Sequence, residues 1–342
     1  MFQVTIQPSG HRITVNSGEA ILDAALRQSL TLPYGCRDGA CGSCKGKIVA
    51  GNVDYGSYQE SALTEAEKRL GMALLCQAVP LTDLVVEVRE VSAAQDIQPR
   101  MLPCRVESLT RAAADVMIMR LQLPAGERLQ FLAGQYLDIL LKDGKRRSFS
   151  LANPPHADVF LELHLRQMAP GGFTEQVFTR MKQRDILRFE GPLGTFFLRE
   201  DSDKPIIFVA SGTGFAPIKA IIEHAFHLES RRPMTLYWGG RTLPDLYMAD
   251  LAGRWQAEHE HFSFIPVLSE APPESRWPGR TGLVHQAVLE DFDDLSGHQV
   301  YVCGNPLMVE AARRDFTALR GLPAEELYSD PFTPAQDGPG AN

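Results

Sequence analysis

The chain has 342 residues, 44% apolar and 22% charged, the balance of a folded globular protein, and its length asks for two or three domains. A net charge of −8 excludes a nucleic-acid backbone as its natural partner, and no apolar run nears the roughly 18–20 residues that cross a membrane. Six cysteines, four of them grouped, do not make a disulfide framework and point to the reducing cytoplasm.

The opening MFQVTIQPSGHRITV alternates like a strand pair with a turn near Ser9–Gly10 and lacks the apolar core of an export signal. GEAILDAALRQSL follows with the spacing of an amphipathic helix. Next comes GCRDGACGSCKG, which sets Cys36-x4-Cys41-x2-Cys44, with Cys76 further on in MALLCQAVP. Four thiols at x4, x2 and a distant fourth form the plant-type [2Fe–2S] spacing. The small residues between them free the loop to fold closely, so that amide N–H groups can point at sulfur. Zinc is the alternative, although zinc ribbons favour two C-x2-C knuckles. A redox dithiol would use Cys41 and Cys44 and leave Cys36 and Cys76 unexplained. The segment closes with the strand DLVVEVREV. Along residues 1–92 it resembles a plant-type ferredoxin, which implies a β-grasp fold and one-electron transfer.

Residues 93–100 read as a polar linker. From 101 to 202, β-type runs such as DVMIMRLQLP, QYLDILLKD and VFLELHLRQ are separated by short turns, as in an antiparallel barrel. From 203 to 333, strands alternate with helices, which predicts a doubly wound parallel sheet. The fold expected is therefore multidomain, α+β and α/β. The tail 334–342 reads as disordered.

Three pieces could hold nucleotides. VASGTGFAP follows a strand and opens a helix, so Gly212 and Gly214 would let a pyrophosphate approach the backbone at a helix start. RRSFSLAN places Arg147 and Phe149 on one strand face and Ser148 and Ser150 on the other. APGGFTEQVF puts Gly171, Gly172 and Thr174 at a helix start whose amides could bind phosphate. Singly, each is also compatible with ordinary structure. Taken in order with AGQYLDI and YVCGNPLMVE, they resemble the ferredoxin–NADP reductase superfamily over residues 101–333.

That resemblance implies an FAD barrel and an NAD(P)H domain. Arg147 would neutralise the FAD pyrophosphate, and Phe149, where many relatives carry tyrosine, would lie against the flavin. Ser150 would hydrogen-bond near flavin N5, and Gly172 with Thr174 would bind pyrophosphate. Gly212, Thr213, Gly214 and Pro217 would hold the nicotinamide nucleotide, with Cys303 and Gly304 beside its ring. Ser150 and Cys303 are the expected catalytic pair. Phe332 in SDPF could cover the flavin, and His164 and Arg166 share a strand face that could meet its phosphates. In YWGGRTLPDLY, Arg241 is the one cation and Asp245 would repel a 2′-phosphate, so NADH is expected over NADPH.

The whole chain is similar to three-domain reductases that pass electrons to a separate protein. The implied acceptor is a dehydrase of a CDP-linked 4-keto-6-deoxyhexose, with an iron-dependent oxygenase component as the alternative. A [2Fe–2S] redox sensor without turnover is the reading from a different class. Neither nucleic acid nor membrane is expected as a partner.

Overall fold

The alternating start of the chain forms a hairpin. Strands β1 (Phe2–Gln7) and β2 (Arg12–Val15) pair antiparallel, and Val4, Ile6 and Val15 are fully buried. The computed structural model describes residues 1–94, 97–168, 172–271 and 276–333. By internal contacts they fall into two compact units: Met1–Pro99 with Leu193–Thr195, and Arg100–Pro192 with Phe196–Phe332.

In the first unit, helix α1 (Ile21–Arg27) buries Ile21, Leu22, Ala24 and Ala25. Its sheet also contains β3 (Lys45–Ala50), β5 (Met72–Leu74) and β7 (Leu84–Glu87), in the order β2-β1-β7-β3-β5. The first and last strands lie parallel at the middle of the sheet, and the other neighbours are antiparallel. This is the β-grasp arrangement. Between β3 and β5 stand β4 (Val53–Asp54) and helix α2 (Glu65–Arg69), the latter started by a capping box between Thr64 and Glu67. The short strand β6 (Val79–Pro80) pairs with β4. Three cysteines precede β3 directly, and Cys76 lies between β5 and β6.

The second unit opens with β8 (Arg100–Ala113), β9 (Val116–Gln122), β10 (Tyr136–Leu140), β11 (Arg146–Ser150), β12 (Leu161–Arg166) and β13 (Ile186–Leu193). They form a sheet in the order β11-β10-β13-β8-β9-β12. A bridge between Leu151 and Leu163 joins the two edges and closes the sheet into a barrel. Helix α3 (Phe173–Thr179) sends Phe173 and Val177 into the barrel core beside Phe131, Leu151 and Phe189.

The chain then alternates strand and helix: β14 (Ile206–Ser211), α4 (Phe215–His227), β15 (Met234–Gly240), α5 (Ala249–Glu258), β16 (Phe262–Leu268), β17 (Arg280–Thr281), α6 (Val284–Asp291), β18 (Gln299–Gly304), α7 (Pro306–Arg320) and β19 (Leu327–Pro331). All are parallel, in the order β17-β16-β15-β14-β18-β19. Successive residues of β14 feed opposite cores, Phe208 with Phe215, Trp238 and Trp255, and Val209 with Val302 and Phe316. Because β15 and β18 flank β14, the winding reverses there and leaves a crevice at the strands' carboxyl ends. That crevice is where Gly212–Gly214 lie.

β8 begins at Arg100, inside the expected linker, because its first residue already pairs with Gly191 of β13. Residues 95–96 of that linker and the tail 334–342 lie outside the described residues.

Candidate functional site

The cysteine loop folds back on its own sulfurs. The N–H groups of Cys36 and Ser43 donate to Cys41 Sγ at 3.4 and 3.5 Å, and the Asp38 N–H donates to Cys36 Sγ at 3.4 Å. Gly39 makes the turn possible: its φ is +70°, and a Cβ there would stand 2.8 Å from the Ser57 carbonyl and 2.9 Å from Gln77 Cγ. The four thiols fall into two pairs, Cys36 with Cys41, and Cys44 with Cys76, whose sulfurs are 3.2 Å apart. The Cys36 thiol, the Ser43 hydroxyl and nearby amides bring Cys41 down to about 6, and the Cys44 thiol lowers Cys76. Each pair thus contains one sulfur already biased toward thiolate. Among the described residues no three His, Cys, Asp or Glu side chains converge on a single ion position. Two-and-two sulfurs fit a two-iron cluster, which takes two protein ligands per iron, better than one tetrahedral zinc.

On the barrel, β11 pairs with β10 so that Leu137 faces Phe149 and Asp138 faces Ser148. The Ser148 hydroxyl donates to Asp138 at 2.6 Å. Arg146 is taken by Glu190, while the Arg147 guanidinium donates to the Arg146 carbonyl at 2.9 Å. The Phe149 ring stands 5.8 Å from Phe173, so it neighbours the start of α3, where Gly172 is the N-cap and Thr174 accepts the Met168 N–H at 3.1 Å. Gly171 lies outside the described residues.

Ser150 is buried, and its hydroxyl donates to Asp330 Oδ2 at 3.4 Å. Cys303 Sγ lies 3.9 Å from the same oxygen. A barrel strand and two strands of the parallel sheet thereby deliver Ser150, Cys303 and Asp330 to one point. Burial, together with the Asp330 charge, pushes the Cys303 thiol well up, so it stays protonated. Asp330 was missed in the sequence because a single aspartate near a chain end carries no spacing signal.

The turn Gly212–Gly214 joins β14 to α4, with Pro217 buried in the first turn of the helix. The Trp238 indole donates to the Gly212 carbonyl at 3.1 Å and stacks on Phe215 at 3.9 Å. A Cβ on Gly214 would lie 2.2 Å from the Cys303 carbonyl, so only glycine lets this turn touch β18. Thr213 is buried in the same turn. The Phe332 N–H donates to the Gly304 carbonyl at 2.8 Å, which sets the half-exposed Phe332 beside the end of β18.

Three expectations change. His164 is buried with both ring nitrogens engaged, Nδ1 with the Tyr247 hydroxyl at 2.8 Å and Nε2 with Glu162 at 3.2 Å, which leaves none for a flavin phosphate. Arg166 spans from the barrel to the nucleotide turn: its Nε lies 3.3 Å from Asp115, between β8 and β9, and a Cβ on Gly212 would meet its guanidinium at 2.8 Å. It also reaches Asp245 at 3.3 Å, and its Nε meets Asp115 as an ion pair without hydrogen-bond alignment. Asp245 is itself buried and accepts the Arg241 and Thr242 N–H groups at 3.0 Å. Although burial opposes it, these bonds and Arg166 hold its carboxyl below the usual range. Its charge is held within that cap rather than standing free. Arg241 stays exposed, 3.7 Å from that carboxylate.

Residues 4–81 match the family described as "2Fe-2S iron-sulfur cluster binding domain", residues 103–198 "Oxidoreductase FAD-binding domain" and residues 208–314 "Oxidoreductase NAD-binding domain". A CDP-6-deoxy-L-threo-D-glycero-4-hexulose-3-dehydrase reductase of Yersinia pseudotuberculosis is 40% identical over 97% of this chain and 99% of its own. The reductase component of a phenol 2-monooxygenase from a Pseudomonas species is 36% identical over 99% of this chain and 96% of its own. The crystal structure of an Amycolatopsis cytochrome P450 reductase matches with a TM-score of 0.77 at 34% identity, covering 98% of this chain and 99% of that one. The chain belongs to the three-domain reductases of the ferredoxin–NADP reductase superfamily, in which a [2Fe–2S] ferredoxin module is joined to FAD- and NAD-binding domains.

Proposed function

We propose that this reductase draws its electrons from NADH in preference to NADPH and passes them to a dehydrase acting on a CDP-linked 4-keto-6-deoxyhexose. The observation that carries the hydride site is the meeting of Ser150 and Cys303 at Asp330. Bound FAD supplies two-electron uptake with single-electron release, and the cluster supplies single-electron transfer.

The side chains do the positioning. Arg147 and the amides at the start of α3 neutralise the FAD pyrophosphate, and Phe149 offers the flavin a stacking surface. The amides of Gly212–Gly214 receive the phosphates of the nicotinamide nucleotide. Asp330 orients the Ser150 hydroxyl, which would serve as a hydrogen-bond partner for a bound flavin. Cys303, neutral and buried, would fill space beside a bound nicotinamide and keep water out. Cys36, Cys41, Cys44 and Cys76 ligate the cluster.

The preference for NADH rests on Arg241, the one cation between Tyr237 and Tyr247, whose guanidinium already faces Asp245; a 2′-phosphate wants paired cations. The dehydrase as acceptor rests on the likeness to the Yersinia reductase. An oxygenase component is the second reading, favoured by the likeness to the phenol monooxygenase reductase. None of the six cysteines is paired in a disulfide, which suits a reducing cytoplasm as the workplace.

Anaerobic titration with NADH, followed by visible absorbance and low-temperature EPR, tests the path. Flavin bleaching followed by the signal of a reduced [2Fe–2S] centre supports it, and bleaching without that signal overturns the cluster assignment. Turnover with ferricyanide excludes a pure sensor. Comparing NADH-driven reduction of a CDP-sugar dehydrase and of an oxygenase component then decides the acceptor.

A further inference from the structure

Along β12, Glu162, His164 and Arg166 alternate onto one face, and each meets a different residue of the nucleotide-binding half. Glu162 lies 3.4 Å from the Lys219 ammonium. His164 meets the Tyr247 hydroxyl at 2.8 Å, and Arg166 meets Asp245 at 3.3 Å. Lys219 is buried one turn into α4, the helix that the Gly212–Gly214 turn opens. Its ammonium also donates to the Ala152 carbonyl at 3.0 Å, two residues beyond Ser150, and to Glu223 at 2.9 Å. One buried cation therefore ties the nucleotide-binding helix to the barrel segment that carries Arg147–Ser150.

We propose that this polar seam sets the nicotinamide turn against the flavin site, with Lys219 as its positioning residue. Apolar surfaces slide at little cost, whereas a buried ion pair out of register leaves two charges unpaired. Such a pair adds little net stability but selects one geometry. The protonation pattern agrees. Burial keeps His164 neutral and Tyr247 a phenol, so Tyr247 donates to His164 Nδ1 and His164 Nε2–H donates to Glu162. Burial works against the Glu162 carboxylate, but His164, Lys219 and Arg120 outweigh it and hold the group at about 2. Glu162 thus stands in the seam as a carboxylate, engaged by His164 and facing Lys219.

The inference rests on the proposed reading of this site as the place where NADH meets flavin, and the test separates the two. In holoprotein carrying Lys219→Met, the limiting rate of flavin reduction at saturating NADH should fall on the order of 10–100-fold. The half-saturating NADH concentration should change far less, and the long-wavelength absorbance of nicotinamide stacked on flavin should weaken. Without NADH, amides of β12 and α4 should exchange faster than in the parent while those of β16 do not. A parent-like limiting rate, absorbance and exchange would overturn the proposal. If Lys219→Met does not fold, Glu162→Gln, which keeps shape and removes the charge, is read the same way. Failure of NADH to reduce the parent protein would sink the functional reading, and the exchange comparison alone would still decide the seam.

Discussion

Asp330 is a single carboxylate with two dependents, the Ser150 hydroxyl and the Cys303 thiol. Removing its charge while keeping its shape separates orientation from packing. Asp330→Asn should lower the NADH-driven rate of flavin reduction on the order of 100-fold while FAD stays bound, as stopped-flow absorbance would register. Cys303→Ala should do less to the rate, because that thiol stays neutral and acts by filling space. At the other end of the electron path, Cys76→Ser withdraws one sulfur from the Cys44 pair. The expected result is loss of the cluster's visible absorbance and EPR signal, with flavin bleaching by NADH intact. Loss of both together would mean that Cys76 supports the fold more widely than one ligand does.

Elements meet here through backbone as much as through side chains. The turn into α4 presses on β18 at Gly214, where an added Cβ would overlap the Cys303 carbonyl, a rigid backbone atom that cannot move aside. Gly214→Ala should cost about 1–3 kcal/mol and weaken NADH binding, seen as a Tm lower by several degrees and a raised Kd. Where β12 meets α4, the consequence is pH dependence. Glu162 ordinarily titrates at 4.5 and is held at about 2 in the fold. A depressed carboxyl stabilises the fold above its unfolded pKa, and that stability is lost as pH falls from about 4.5 toward 2. The contribution is roughly 3 kcal/mol. Burial raises the neighbouring Glu223 and works with the opposite sign, so the net effect is smaller. Thermal unfolding at pH 5 and pH 3 should show a steeper loss for the parent than for Glu162→Gln; equal slopes would refute the assignment.

At the scale of the whole molecule, the three domain types imply an order of events that removing a cofactor can test. Protein stripped of FAD should hold an oxidised cluster that NADH no longer reduces, and added FAD should restore reduction, as EPR would follow. Reduction of the cluster without FAD would break the sequence from nicotinamide to flavin to iron. Among the described residues no helix is long and apolar enough to cross a membrane, and the net charge of −8 gives any acidic acceptor a repulsion that salt should relieve.

The sequence by itself determined what lives within one turn of chain. The x4, x2 spacing of Cys36, Cys41 and Cys44, the GTG turn between a strand and a helix, and the alternation of Arg147 with Phe149 each record local backbone geometry, and each lies where its pattern implies. The three domain types were legible for the same reason, because strand and helix periods are local. Tertiary structure decided the rest. Ser150 and Asp330 stand 180 residues apart and His164 and Tyr247 83 apart, distances over which no spacing rule operates. His164 and Arg166 could be placed on one strand face from their alternation, but not which body that face would meet. Only packing of the parallel sheet against the barrel brought them to Tyr247 and Asp245. The same packing buried Asp245, whose sequence context had suggested a free charge. A motif states which atoms one segment can offer, and which partner receives them depends on how the sheets close.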